Sequence, residues 1–396
     1  MRRVVRAVTM DFIGVGKRSL TFLILFALGM ELHARALAPI DRLPSGRLLV
    51  GYATDRCLRE EDRIIAAVEN GVNVIIWSFA HFERQGDGEL RVHPTFNVDK
   101  VRALRERLEG TGAEVAHLVA FGGWNGPHPS TKASGKQWFE CWRIWNNKHG
   151  MPFDGIDWDL EGHDDPKATS ASFTKALVDL VSDFSVVAHR AGFTVALAPA
   201  QSYLDAATSE FSLRLNHEPG VNPGKFPEPE KVESFPYSGR NAYAAIIHQA
   251  GIDCFSLISI QLYEGYSRAC YAITRLSIPA ETYIADTARK YSSGFDVKFV
   301  ENGEDSIGAT TARIVVPPNK LSFGFANAWA DGNKFLRVQP KDIVSAYMRL
   351  PIHERPRGVM FWVIDEEGEP NYFAKDLSSS FRVAEGESTS SSTGEF

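Results

Sequence analysis

A (β/α)₈ TIM-type barrel in a single domain is the fold that this 396-residue chain predicts. Three observations lead to it. Eight short runs rich in β-branched and aromatic residues alternate with stretches of helical periodicity, the mark of parallel βαβ units. The runs are almost continuously apolar, as strands covered on both faces are. Eight such units over about 330 residues suit a barrel, which takes roughly 200 to 400. A doubly wound open sheet is the alternative that the same alternation allows.

In chain order the predicted strands are 48–53 (LLVGYA), 72–79 (VNVIIWSF), 115–122 (VAHLVAFG) and 155–161 (GIDWDLE). They continue with 194–200 (TVALAPA), 254–263 (CFSLISIQLY), 321–326 (LSFGFA) and 358–364 (GVMFWVI). Helical spacing marks 60–70, 99–109, 172–191 and 281–291 between them. Two connections are long. Residues 204–253 are polar and Pro-rich, and 264–320 hold a helix followed by a hairpin pattern (FDVKFVEN and TTARIVVP). Loops of that length are usually functional or disordered, and in a barrel they build the walls of a cleft at the C-terminal face.

The ends differ from the body. Arg2, Arg3, Arg6, Lys17 and Arg18 precede an apolar run at 20–30 (LTFLILFALGM), and Ala34-Arg35-Ala36 offers an A-x-A cleavage site. The run is shorter than the roughly 20 residues a membrane span needs, so 1–36 reads as a secretory signal rather than an anchor. Gly14-Val15-Gly16-Lys17 is not a phosphate loop, because Asp11 stands where Gly is required. Residues 378–396 are rich in Ser, Thr, Gly and Glu and read as a disordered tail, leaving 44–377 as the folded domain. The chain contains no N-x-S/T sequon.

Apolar types make up 44% and charged types 23%, which excludes a disordered chain. The 43 Lys and Arg against 49 Asp and Glu give a net charge of −6, a poor match to nucleic acid. Loss of 1–36, with six basic and two acidic residues, would take that charge to −10.

The informative segment is DGIDWDLE at 154–161. Side chains alternate along a strand, so Asp157, Asp159 and Glu161 share one face while Ile156, Trp158 and Leu160 share the other. Acids roughly 7 Å apart repel, and in a half-dry site at least one carboxyl pKa must rise. A general acid at neutral pH needs that property. In a barrel, Glu161 falls at the C-terminal strand end, where catalytic groups lie. An amphipathic edge strand with its acids in water would carry the same pattern. A calcium loop beginning at Asp157 has Gly162 at position six but Ala168 where the bidentate Glu is needed. A Mg²⁺-binding D-x-D remains open, without a phosphate loop to accompany it.

DGIDWDLE resembles the D-G-x-D-x-D-x-E signature of family 18 glycoside hydrolases, the chitinases and related endo-β-N-acetylglucosaminidases. The resemblance continues in order. Gly51-Tyr52 is similar to the family's first strand, Phe121-Gly122-Gly123-Trp124 to the end of its third, and Ala198-Pro199 to its fifth. Gln261-Leu262-Tyr263 is similar to the Q-x-Y of plant-type members, and 358–362 (GVMFW) to the eighth strand with its tryptophan. It spans roughly 48–370 and is strongest at the fourth strand.

That resemblance implies substrate-assisted retaining hydrolysis. Glu161 would protonate the glycosidic oxygen and the sugar's 2-acetamido carbonyl would attack the anomeric carbon. Asp159 would hold the acetamido N–H, with Asp157 behind it sharing a proton. Tyr263 would orient the acetamido oxygen, Trp362 would form the apolar floor and Tyr52 would support the acidic cluster, with Tyr52, Gln261, Trp124 and Gly123 counted as further binding residues. No metal or cofactor is implied. The partner would be chitin or an N-acetylglucosamine oligosaccharide, and the protein a secreted monomer without a membrane anchor.

Two positions depart from the pattern. Ala120 stands where a serine should support Asp157, and Glu264 follows Tyr263 where relatives carry Asp or Asn. The intact Glu161 argues against lectin-like members. Residues 328–357 leave room for one helix and loops, so no insertion domain is expected between strands seven and eight, and an open groove with internal cleavage follows. Three readings stand: a secreted endo-acting chitinase, an endo-β-N-acetylglucosaminidase acting on the N-glycan chitobiose core, and a non-hydrolytic chitin-binding lectin. Cys57, Cys141, Cys254 and Cys270 allow one or two disulfides or four lone thiols. Cys254 and Cys270 bracket the sixth strand, roughly 30 Å apart along it, too far for a bridge.

Overall fold

The computed structural model describes residues 42–215 and 240–386, apart from 301, 304, 305, 333, 334, 369 and 371. The expected signal at 1–36 lies outside the described residues, as does most of the Pro-rich stretch within 204–253.

Eleven strands are described: β1 (Leu48–Ala53), β2 (Val74–Arg84), β3 (Leu90–Pro94), β4 (Ala116–Gly123), β5 (Gly155–Leu160) and β6 (Thr194–Leu197). After them come β7 (Leu257–Gln261), β8 (Phe295–Lys298), β9 (Thr311–Ile314), β10 (Leu321–Ala326) and β11 (Gly358–Trp362). Eight of them close a parallel ring in the order β1-β2-β4-β5-β6-β7-β10-β11 and back to β1. The predicted barrel is therefore the fold, and the open-sheet alternative is excluded. Seven helices follow the early and middle strands: α1 (Glu61–Glu69), α2 (Val98–Gly110), α3 (Gly135–Lys148), α4 (Lys175–Arg190), α5 (Ala242–Ala250), α6 (Arg268–Thr274) and α7 (Ala280–Ser293). The last two are α8 (Pro340–Met348) and α9 (Phe373–Ala384).

Helix starts follow from capping chemistry. Ser134 and Gln137 form a reciprocal box at α3, and Asn97, Thr174 and Ser267 accept from the first turns of α2, α4 and α6. The core has two layers, set by strand alternation. Leu48, Val50 and Tyr52 of β1 point into the barrel with Val74, Ile76, Leu118, Ala120 and Ala196. Leu49, Ile75, Val119, Ile156 and Val195 point outward under the helices. On β5 the outward face is Ile156, Trp158 and Leu160. Trp158 sits among Phe82, Phe121 and Phe184, and its indole N–H donates to Ser185 Oγ at 3.1 Å. The acids on the alternate face are thereby driven inward.

Several expectations are corrected. β2 runs to Arg84 and folds back as an antiparallel hairpin with β3. Residues 264–320 hold two helices, α6 and α7, before the expected hairpin of β8 and β9. The tail does not begin at 378, because α9 continues to Ala384 and buries Leu377 and Phe381. Its Ser-rich run is half-buried, with Ser378 Oγ donating to the Asn70 carbonyl at 2.5 Å, a packing role that composition alone cannot distinguish from disorder. All four cysteines are free thiols, so the disulfide option fails. Between β10 and β11 the described residues hold α8 and a short turn at Ile352–Glu354.

Candidate active site

The site is built on the inward face of β5. Asp157, Asp159 and Glu161 are all buried, Glu161 at 6% exposure just beyond the strand end. Tyr52 donates from its hydroxyl to Asp157 Oδ2 at 2.6 Å. The other oxygen, Asp157 Oδ1, is buried without a hydrogen-bond partner. Its register neighbour on β4 is Ala120, so no hydroxyl meets it there. Burial pushes the Asp157 carboxyl up to about 7, against the pull of the Tyr52 hydrogen bond.

Asp159 Oδ1 accepts from Gln261 Nε2 at 2.8 Å, and the same amide nitrogen donates to the Ala198 carbonyl at 2.7 Å. Burial raises the Asp159 pKa, and the charges of Glu161, Asp157 and Glu264 raise it further. Glu161 is raised by burial and then by Glu264, while hydrogen bonding to Asp159 and Gln261 pulls it partly back. Three inward acids and Glu264 thus compete for few negative charges. A carboxyl that holds its proton near neutrality is the consequence.

The backbone around Glu161 is fixed by two side chains from elsewhere. The His128 imidazole donates from Nε2 to the Glu161 carbonyl at 3.0 Å, and burial holds its pKa down at about 4, so it stays neutral. β6 pairs with β5 only as far as Trp158, so Leu160 lacks a strand partner on that side. The Tyr243 hydroxyl replaces it, accepting from the Leu160 N–H at 2.7 Å and lying 3.0 Å from the Leu160 carbonyl. On the other flank Gly122 has φ +120°, and a Cβ there would collide with the Asp159 carbonyl. Glycine lets β4 press against the carboxylate strand.

Above these acids lies a cavity of about 220 Å³, lined by Phe79, Trp124, Asp159, Glu161, Tyr263, Glu264, Trp329 and Trp362. The Trp362 ring centroid lies 5.8 Å from Phe79, nearly parallel, and 5.4 Å from Tyr52. The Trp329 indole donates to the Trp362 carbonyl at 2.7 Å and stands edge-on to Tyr263 at 5.9 Å. Acidic groups on one wall and aromatic faces on another suit a ligand with an apolar ring face and directed polar groups, as a sugar has.

Of the site residues expected from sequence, Glu161, Asp159, Tyr263, Trp362 and Trp124 meet at this cavity. Asp157 lies one layer below, bonded to Tyr52. Gln261 and Gly123 were expected to bind substrate, and Tyr52 both to bind it and to support the acids; none of the three lines the cavity, while the support by Tyr52 is present as its hydrogen bond to Asp157. All three are buried behind its wall, where Tyr52 and Gln261 hold the acids. Sequence reasoning missed Phe79 and Trp329 as lining residues. Both stand at or just past the ends of predicted strands, a signal that could have found them. Glu264 was noted only as a departure. Among the described residues no group of three or more His, Cys, Asp or Glu is arranged to hold a metal ion.

No family model and no curated protein matches the sequence. Solved structures do. A family 18 chitinase from Chromobacterium violaceum superposes with a TM-score of 0.56 at 17% identity, over 86% of this chain and 85% of that one. A fungal endo-β-N-acetylglucosaminidase of glycosyl hydrolase family 18 gives 0.50 at 15%, over 85% of this chain and 96% of that one. The chain therefore has the barrel fold of those proteins over nearly all of its described length.

Proposed function

We propose that the protein is a retaining glycoside hydrolase that cleaves internal β-1,4-N-acetylglucosamine linkages by substrate assistance. One observation carries this reading: Asp157, Asp159 and Glu161 rise in line from the barrel interior to a cavity whose other walls include Tyr263 and Trp362. The sugar whose bond breaks lies with its apolar face on Trp362. Glu161, its proton held by burial and by Glu264, gives that proton to the glycosidic oxygen. As the bond to the leaving sugar breaks, the acetamido carbonyl oxygen attacks the anomeric carbon and an oxazolinium ion forms. Asp159 accepts a hydrogen bond from the acetamido N–H and stabilises the positive charge. Tyr263 donates its hydroxyl to the acetamido oxygen and orients it. Water then opens the ring, losing its proton to Glu161, and the configuration is retained.

The acidic and aromatic walls of the cavity support chitin-type chains as substrate, and the basic-then-apolar pattern of 1–36 supports a secreted enzyme. The fold likeness to the fungal endo-β-N-acetylglucosaminidase favours a second reading, cleavage of the N-glycan chitobiose core by the same acids. The experiment compares wild type with Glu161→Gln on N-acetylchitohexaose and on a high-mannose glycopeptide. Turnover of the oligomer, lost by roughly 10² to 10⁴ in the variant, is expected. Turnover of the glycopeptide alone would favour the second reading. Equal activity of the two proteins would remove Glu161 from the mechanism, and binding without turnover would leave a lectin.

A further inference from the structure

We propose that Asp164 is a positioning residue that locks the Trp124 indole as a platform for a second sugar ring, and so sets a preference for longer chains. The proposal rests on the glycosidase reading of the same cavity. Four of the eight indoles are core: Trp77, Trp138, Trp142 and Trp158 are fully buried. Trp124 is 36% exposed and lines the cavity beside Glu161. It belongs to a different wall from Trp362, because β1 and β2 separate their strands β4 and β11 in the barrel ring. Two indoles on separate walls of one acidic cavity fit two rings of one chain.

An exposed tryptophan on a loop loses rotamer freedom when a ligand stacks on it, and binding bears that cost. Here the cost is met in the free protein. The Trp124 indole donates to Asp164 Oδ1 at 3.1 Å. Asn125 Nδ2 donates to Asp164 Oδ2 at 2.6 Å, and the Asp164 N–H returns to Asn125 Oδ1 at 2.7 Å. The Asn125 N–H reaches the Gly162 carbonyl at 3.1 Å. One carboxylate thus joins the loop after β4 to the loop after β5, three residues beyond Glu161. Asn125 takes a left-handed φ of +63° inside this clamp. Hydrogen bonds to an ionised acceptor are the strong kind, which suits a fastening at an exposed site.

The test is a double-mutant cycle. Asp164→Ala, Trp124→Ala, the double variant and Asp164→Asn are assayed on N-acetylchitotetraose and on 4-methylumbelliferyl chitobioside, whose leaving group carries no second sugar. The same variants in a Glu161→Gln background are titrated with the tetraose by calorimetry. Each alanine variant should raise KM for the tetraose roughly five- to tenfold, the worth of about one aromatic contact, with a smaller change in kcat. The aryl substrate should respond less. The double variant should be no worse than Trp124→Ala, and Asp164→Asn, which keeps an acceptor for the indole, should fall between wild type and Asp164→Ala. Additive losses, equal losses on both substrates, or wild-type KM in Asp164→Ala would overturn the clamp. Absence of turnover with an intact binding cycle would sink the hydrolase reading and leave the platform standing, and absence of binding would sink both.

Discussion

Replacing Asp157 with Asn should make the fold less sensitive to pH, and the size of the effect follows from its burial. The carboxyl is held at about 7 in the folded chain against an ordinary value of 3.8. At pH 3 both states hold the proton. As pH rises, the unfolded chain releases it first, so the folded chain binds more protons and stability falls. The fall ends once Asp157 itself ionises near 7 and amounts to about 4 kcal/mol in all, at 1.36 kcal/mol per pH unit. Between pH 5 and pH 8 the share is about 2–3 kcal/mol. Asp157→Asn cannot ionise and escapes this loss. Its amide N–H₂ meets the unpartnered position beside Ala120 and costs about 1–3 kcal/mol, but equally at both pH values. Urea unfolding of both proteins at pH 5 and pH 8 separates the two effects. The difference between variant and wild type should shift by about 2–3 kcal/mol in the variant's favour at pH 8. A difference that stays within about 0.5 kcal/mol across that range, the size of an ordinary surface effect, would refute a proton-holding Asp157.

Other consequences are as direct. Glu264 raises the Glu161 carboxyl by its charge, so Glu264→Gln should move the alkaline limb of the kcat/KM profile to lower pH, and an unmoved limb would exclude Glu264 from that role. Phe381 is buried in α9 beneath the Arg47 guanidinium, 3.7 Å from its ring. Phe381→Ala should cost about 3–5 kcal/mol in an unfolding titration, whereas a disordered tail would make the change silent.

The acid strand was legible because strand alternation is a local rule. Once 154–161 was read as a strand, Asp157 and Asp159 had to face away from Trp158, and they do. Depth was not legible. Tyr52 supports Asp157 as its strand position implies, but Gln261 contacts Asp159 rather than the cavity, because distance from the barrel mouth depends on register. Phe79 within β2 and Trp329 just past β10 join the cavity only through closure of the ring, which brings the two strands to one mouth. Tyr243 could not be foreseen. Its hydroxyl substitutes for a strand that is missing only because β6 stops at Leu197, a length no motif encodes. The Trp124–Asp164 clamp likewise joins two loops 40 residues apart.

The stereochemistry of the first product tests the retaining, two-displacement chemistry of the proposed mechanism most directly. Time-resolved proton NMR of N-acetylchitotetraose hydrolysis, begun before mutarotation, reads the anomer released at the cleaved bond. The β-anomer should appear first and drift to the equilibrium mixture, since attack by the acetamido oxygen and then by water inverts the carbon twice. An α-anomer as first product would mean a single displacement by water and would contradict the mechanism.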